Sequence, residues 1–482
     1  MTEVKTKSTP LAMLLVGPLL MAITLLTPVP FEGMSESAWH TLGLAVWMAT
    51  WWVSEATPVA VTAFLPLIVA PVVNIAPIKV ATSSYAHPLI FLFLGGFLIS
   101  IAMERWNLHK RIALKAMTLV GDKPGNQIAG LMAVTAFLSM WMSNTATSVM
   151  MLPIGLSVIE MVNQHQDKPN EVFSKAMLLS IAFSASIGGL ATLIGTPPNA
   201  LMAAYLSESY QIEIGFAQWM LVGVPLSLTM LVICWALLTK VCFKVNNEKG
   251  VDTSEMFKQK VKELGVMSKG EKMVLAFFIM AALGWIFRPL IAKVTGLAIS
   301  DTGIAMFIGL LLFVVPVDSK KDIRVLAWDD TKKLPWGVLL LFGGGLALAS
   351  MIKKSGLASF IGAQLENTAS FPIITAVIIV TITIMFLTEV TSNTATAASF
   401  LPLLGPIAVT LTDGPMMLVI PAALAASCAF MMPVATPPNA IVFSSGKLRI
   451  VDMAKAGFWL NITAIFLITG LMLTIVPLVF TL

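Results

Sequence analysis

Two short polar strings recur in this otherwise apolar chain, and both are built from residues that hold ions without carrying a charge. Ser143-Asn144-Thr145-Ala146-Thr147 and Ser392-Asn393-Thr394-Ala395-Thr396 each supply hydroxyl oxygens, an amide oxygen and amide N–H groups. Each is answered later by an identical string, Thr-Pro-Pro-Asn-Ala, at 196–200 and 436–440. The flanks agree as well: residues 137–153 read FLSMWMSNTATSVMMLP and residues 386–402 read FLTEVTSNTATAASFLP. A single copy would read as interhelical glue, a common use of Ser, Thr and Asn in membrane bundles. Duplication that keeps both the flanks and the partner string points instead to one chemical task performed twice.

Pro197-Pro198 and Pro437-Pro438 remove backbone donors and clash with the preceding turn, so each pair splits a helix in two. A split leaves free carbonyls on one half-helix and free N–H groups on the other. Carbonyl and hydroxyl oxygens suit a hard cation, whereas amide donors at a helix start suit an anion. A site with both takes a cation and a carboxylate together. Other chemistries lack their residues. The cysteines, Cys234, Cys242 and Cys428, have neither disulfide nor metal-site spacing, and no His cluster, carboxylate pair or phosphate loop supports an enzyme.

The elements that must position these strings are membrane helices. With 57% hydrophobic and 11% charged residues and a mean hydropathy of +0.89, 482 residues cannot cover a soluble globule with polar surface. Apolar runs near 10–29, 38–53, 57–77, 87–104, 175–205, 217–243, 272–295, 302–317, 334–352, 417–443 and 457–481 make about 11 candidate transmembrane helices, most close to the ~20 residues a bilayer needs. The first is too long for a secretory signal and is expected to remain as a span. Two more stretches, about 127–162 and 371–411, are interrupted by the Ser-Asn-Thr strings and read as re-entrant hairpins. Placing the N-terminus in the cytoplasm leaves only Lys79, Arg288, Lys293, Lys353 and Lys354 outside, so 25 of the 30 basic residues (30 − 5) fall inside, as cytoplasmic loops require. The C-terminus is then outside.

Five full spans separate the hairpins, and an odd number means that equivalent elements enter from opposite faces. The fold class expected is an all-α polytopic membrane protein with an inverted repeat, the architecture in which secondary transporters build a midplane site. Its parts are 1–37, an N-terminal segment with the first span; 38–126, scaffold helices of the first repeat; 127–243, its hairpin, broken helix and following span; 244–271, a lysine-rich cytoplasmic linker; 272–370, scaffold helices of the second repeat; and 371–482, the second hairpin, broken helix and last span. Leu94-Gly95-Gly96 and Phe342-Gly343-Gly344 stand 48 and 49 residues before their Ser-Asn-Thr strings (Gly95 to Ser143, Gly343 to Ser392) and read as close-packing residues. Stretches near 105–123 and 353–367 read as interfacial helices. Of the ionisable residues in or near spans, Glu55, His87, Glu104 and Glu160 fall near span ends, while Glu389 sits inside the second hairpin and reads as a structural hydrogen-bonding group. Trp51, Trp52, Trp219 and Trp336 read as interfacial belts.

At these residues the chain resembles the divalent anion:sodium symporter family, and the likeness spans nearly the whole sequence. Two Ser-Asn-Thr signatures at hairpin tips, each paired with a Thr-Pro motif in an unwound helix, are specific to that family. The resemblance implies an elevator-type transporter: a homodimer in the bacterial cytoplasmic membrane that imports C4-dicarboxylates (succinate, malate, fumarate) with Na+. A sodium-independent anion exchanger of the same fold is the alternative, and citrate or sulfate is not separated by these motifs. Nucleic acid is not an expected partner. Carried over, the resemblance places Ser143, Asn144, Thr145, Thr196, Ser392, Asn393, Thr394, Thr436 and Pro437 against substrate. It places one Na+ among Ser139, Ser143, Asn144 and the Gly195 carbonyl, and another among Thr388, Thr391, Asn393, the Ala435 carbonyl and Pro437. Thr391 corresponds to Met142 in the first copy, so the two cation shells are expected to differ.

Overall fold

The computed structural model describes residues 11–164, 169–246, 251–366, 372–411 and 414–480. Lys5, Lys7, Lys168 and Lys249, counted above for orientation, lie outside these, as do the first ten residues of the 1–37 segment. Among the described residues, eight helices are long and apolar enough to cross a membrane and five shorter apolar helices accompany them. The stretch near 57–77 is bent into helices Val59–Thr62 and Leu65–Val72, because Pro66 has no N–H with which to continue the first one. One feature outside the all-helical expectation is an antiparallel ribbon pairing Pro316–Asp318 with Ile323–Arg324. Its polar turn is held by the Asp318 carboxylate, which accepts from the Lys320 N–H at 2.9 Å, and by Asp322 in the left-handed region (φ 49°).

Both interrupted stretches are helix–turn–helix units, Pro124–Ser139 with Asn144–Gln164 and Ile373–Thr388 with Asn393–Leu411. After each comes a broken helix. Glu171–Gly189 is followed by a non-helical segment and then Pro197–Tyr210; Met416–Ala426 is followed by another and then Pro437–Phe443. Thr196 and Thr436 are extended N-caps (φ −143° and −139°) with a proline as first helical residue, a position where the missing proline N–H costs no hydrogen bond.

The repeat is visible in packing as well as in sequence. A Cβ on Gly95 would lie 2.7 Å from the backbone of Ala305, and one on Gly344 would lie 2.6 Å from the carbonyl of Ala63. Gly344, 48 residues before Ser392 as Gly95 is before Ser143, is therefore the counterpart of Gly95, in place of Gly343. Apolar lipid offers helices no solvent-driven attraction, so such backbone-to-backbone approach is what gains contact energy.

Near the linker, Arg111 on helix Leu108–Met117 is buried against Glu271 at the start of Lys269–Thr295, with Nε to Oε1 at 2.7 Å. The same guanidinium donates to the carbonyls of Gly265 (2.9 Å) and Leu264 (3.2 Å), while Glu271 closes a capping box with Ser268. The tryptophan reading needs correction at two positions. Trp52 and Trp219 are fully buried, and their indole N–H groups donate to the carbonyls of Val59 and Leu190, each at 3.1 Å.

Candidate functional site

In the first repeat the hairpin turn lies against the break of the following helix. The Ser143 hydroxyl accepts from the Ala146 N–H (3.2 Å), so Asn144 opens a helix whose free N–H groups are at the turn. The Ser139 hydroxyl donates to Asn144 Oδ1 at 2.6 Å. Thr192, in the break, donates to the Met140 carbonyl (2.6 Å) and accepts from the Gly195 N–H (3.0 Å), which ties break and turn together. A Cβ built on Gly189 would stand 2.9 Å from Asn144 Oδ1 and 3.0 Å from the Gly195 carbonyl oxygen. Ser139, Asn144 and Gly195 of the first expected cation set therefore gather around one small space, and half-buried Ser143, the fourth member, stands in the adjoining turn.

The second repeat repeats the central contact and changes the rest. Thr388 Oγ1 lies 2.7 Å from Asn393 Oδ1 and 3.0 Å from the Ala426 carbonyl, mirroring the Ser139–Asn144 pair. Thr391 is turned inward, engaged with the Leu387 carbonyl (2.8 Å) and Thr396 Oγ1 (2.7 Å). Among the described residues no hydrogen bond joins Ala435 or Pro437 to Thr388 or Asn393. Ala435 is buried and Pro437 is exposed.

Glu389, 4% exposed, replaces the Thr192 tie. Its carboxylate accepts from the backbone N–H groups of Phe430 (2.8 Å), Met431 (3.0 Å) and Met432 (3.1 Å) and from Asn461 Nδ2 (2.7 Å). The structural reading of this residue is what the geometry displays. Orphaned N–H groups at membrane depth need an internal acceptor, and the corresponding hairpin position in the first repeat, Met140, offers only its backbone carbonyl.

The substrate set is spread over both repeats. Thr196 and Thr436 are buried, and Thr196 Oγ1 meets Ser427 Oγ of the other repeat at 3.3 Å. Ser143, Asn144, Ser392, Asn393 and Thr394 are half-buried, and Thr145 is exposed. Helix Asn144–Gln164 packs on Pro437–Phe443, and Asn393–Leu411 packs on Pro197–Tyr210. Helix starts at Asn144, Pro197, Asn393 and Pro437 thus come from interleaved repeats; those at Asn144 and Asn393 carry the backbone N–H groups that attract anions, whereas Pro197-Pro198 and Pro437-Pro438 have none to offer.

Three residues escaped the sequence reading as functional parts. Asn199 Nδ2 donates to the carbonyls of Leu190 (3.2 Å) and Thr192 (2.9 Å), and Asn439 Nδ2 donates to those of Ala429 (3.2 Å) and Met432 (3.0 Å). Both asparagines staple their breaks open, and the identical Asn in the two Thr-Pro-Pro-Asn-Ala strings was the available signal. Asn461, the partner of Glu389, had no such signal because its helix carries no repeated motif.

The mirror-related loops are seated unequally. Trp141 (8% exposed) stacks on Phe216 and Trp285 with ring centroids 6.0 and 6.4 Å away, and Ile194 (7% exposed) fills the notch at Gly96. Their counterparts Val390 and Val434 are 69% and 75% exposed.

Comparison with known proteins gives the family. Residues 6–482 match the family described as the sodium:sulfate symporter transmembrane region. A Staphylococcus saprophyticus protein named sodium-dependent dicarboxylate transporter SdcS is 43% identical, the alignment covering 96% of this chain and 91% of that one. The protein of the same name from Staphylococcus aureus strain USA300 is 43% identical, over 97% and 91%. Two solved structures share the fold at low identity: the Alcanivorax borkumensis YdaH transporter (TM-score 0.57, 14% identical, covering 96% and 95%) and Neisseria gonorrhoeae MtrF (TM-score 0.58, 13% identical, covering 97% and 95%). A duplicated hairpin-and-break site and a full-length family match lead to one conclusion: this chain belongs to the sodium:sulfate symporter family, the divalent anion:sodium symporters that its motifs resemble.

Proposed function

We propose that this protein is a sodium-coupled importer of C4-dicarboxylates, succinate, malate and fumarate among them, acting in the bacterial cytoplasmic membrane with its N-terminus inside and C-terminus outside. The observation that carries the reading is the mirrored pair Ser139–Asn144 and Thr388–Asn393, each set against a break that a Thr-Pro motif closes. In the first repeat the Gly195 carbonyl completes the cradle; in the second, Thr391, Ala435 and Pro437 are assigned from the family likeness and complete their shell on cation binding. Sodium is cargo here. Once seated, it supplies the positive charge that an acidic substrate needs in a low-dielectric chamber without Lys or Arg. The hydroxyls and amides of Ser143, Asn144, Thr145, Ser392, Asn393 and Thr394, with Thr196, Thr436 and Pro437, then hold the carboxylates, helped by the helix starts at Asn144 and Asn393.

The two helix–turn–helix units are proposed to be re-entrant hairpins that move with the broken helices, residues 127–243 and 371–482, as one body against scaffold residues 38–126 and 272–370. The unequal seating of Trp141 and Ile194 against Val390 and Val434 supports such movement, since two mirror-related faces cannot both be docked at once. Two copies of the chain are proposed to share their scaffolds in a homodimer.

Purified protein in vesicles tests this. Uptake of labelled succinate is expected to require an inward sodium gradient, and Asn144→Ala or Asn393→Ala is expected to lower it by about 100-fold or more, the range for losing a charge-assisted contact and its partner's desolvation. Equal uptake in choline buffer would refute symport, and trans-stimulation by internal succinate without sodium would identify an exchanger. A panel of succinate, malate, fumarate, citrate and sulfate in a thermal-shift assay, each with Na+ and with K+, assigns the anion.

A further inference from the structure

We propose that Gly189 sets the size of the first sodium cradle and that its counterpart Ala429 makes the second cradle tighter, so that the two cations are held unequally; this rests on the sodium-symport reading above. The correspondence comes from the hydrogen bonds as well as from the sequence. Asn199 Nδ2 reaches the carbonyls of Gly189 (3.4 Å) and Thr192 (2.9 Å), and Asn439 Nδ2 reaches those of Ala429 (3.2 Å) and Met432 (3.0 Å). Both pairs stand ten and seven residues before their asparagine.

Gly189 and Gly195 meet backbone to backbone, a Cβ on Gly195 lying only 2.5 Å from the Gly189 carbonyl oxygen. A Cβ on Gly189 would lie 2.9 Å from Asn144 Oδ1, 3.3 Å from Asn144 Nδ2 and 3.0 Å from the Gly195 carbonyl oxygen. Those two oxygens are the ones assigned to the cation. A methyl there either occupies the space a shared cation needs or pushes one of its ligands away. Selectivity between hard cations follows cavity size and ligand flexibility, so one methyl at this point discriminates among alkali ions. Ala429 is fully buried and carries that methyl beside the second break.

A packing role and a cradle role predict different measurements. Packing makes Gly189→Ala lower the melting temperature in choline, sodium and lithium alike. The cradle makes it raise the sodium concentration needed for half-maximal thermal stabilisation by about tenfold. Lithium, being smaller, suffers less, and the melting temperature in choline stays within about 2 °C of wild type. Ala429→Gly removes a methyl and introduces no clash, so it keeps the proposal testable if Gly189→Ala fails to fold. It is expected to weaken lithium more than sodium, the opposite shift. An unchanged lithium-to-sodium preference in both variants overturns the proposal. Asn144→Ala in the same assay separates the two levels. If it too leaves the sodium response intact, the sodium-site reading fails; if it abolishes the response while Gly189→Ala and Ala429→Gly change nothing, only the size assignment fails.

Discussion

At the scale of single residues, this site is held by neutral groups whose value depends on how completely they are paired. Glu389 is the exception, a carboxylate used as an acceptor for backbone N–H groups that the break of the second helix leaves free. Glu389→Ala strands four donors, the N–H groups of Phe430, Met431 and Met432 and the Asn461 amide, and an unmet buried donor costs about 1–3 kcal/mol, so a loss of about 3 kcal/mol or more is expected in detergent unfolding. Glu389→Gln keeps one acceptor oxygen and the shape, and is expected to lose less than half as much. Equal losses for the two variants would remove the acceptor role. Asn199→Ala and Asn439→Ala free the carbonyls that their amides hold. Each is expected to reduce sodium-dependent stabilisation more than stability without sodium, as read by thermal shift with and without the ion. The Asn signal stood in the sequence twice, but nothing in one dimension distinguished an amide proposed to meet cargo from one that holds the loop around it.

At the scale of elements, the breaks follow from proline chemistry and the close approaches follow from missing side chains. The paired prolines placed both half-helix starts correctly, whereas the end of each preceding helix, at Gly189 and Ala426, was not legible because it is set by the hairpin it abuts. The bend in 57–77 and the ribbon at 316–324 were likewise missed, since a short polar turn and one extra proline look like ordinary loop sequence. Near the linker, Arg111 and Glu271 lock helix Leu108–Met117 to the start of Lys269–Thr295. Arg111→Ala leaves a buried, unpaired carboxylate, and breaking such a pair costs about 3–5 kcal/mol. Urea or thermal unfolding is expected to show that loss, and the double variant Arg111→Leu with Glu271→Leu is expected to recover most of it. A double variant less stable than Arg111→Ala would contradict the buried-charge account.

At the scale of the whole molecule, the two repeats are alike in sequence but not in what they touch. In a background with Cys234, Cys242 and Cys428 changed to Ser, Val434→Cys is expected to react with a soluble maleimide at least about tenfold faster than Ile194→Cys, because only exposed thiols are attacked readily. Sodium with succinate is expected to slow that reaction. Equal rates for the two positions would mean that the mirror loops are not docked unequally. With one sodium ion at each of the two proposed cradles, a dianion would cross with no net charge, and a potential is worth about 2.3 kcal/mol per charge per 100 mV. Uptake is therefore expected to be indifferent to an inside-negative potassium diffusion potential, and acceleration by that potential would reveal a third cation.

Composition alone decided that this chain lives in a membrane, because too few polar residues are present to cover a globule. Duplicated strings and proline pairs decided that it has two matching helix–turn–helix units, each followed by a broken helix, since those are local properties of a chain. The tertiary structure alone decided which groups share a space: Gly189 beneath Asn144, Thr196 against Ser427, Glu389 across the second break, Trp52 and Trp219 inside the bundle. Repeats written alike still fold into different surroundings. Packing energy depends on the neighbours each copy meets, and those neighbours lie far away along the chain.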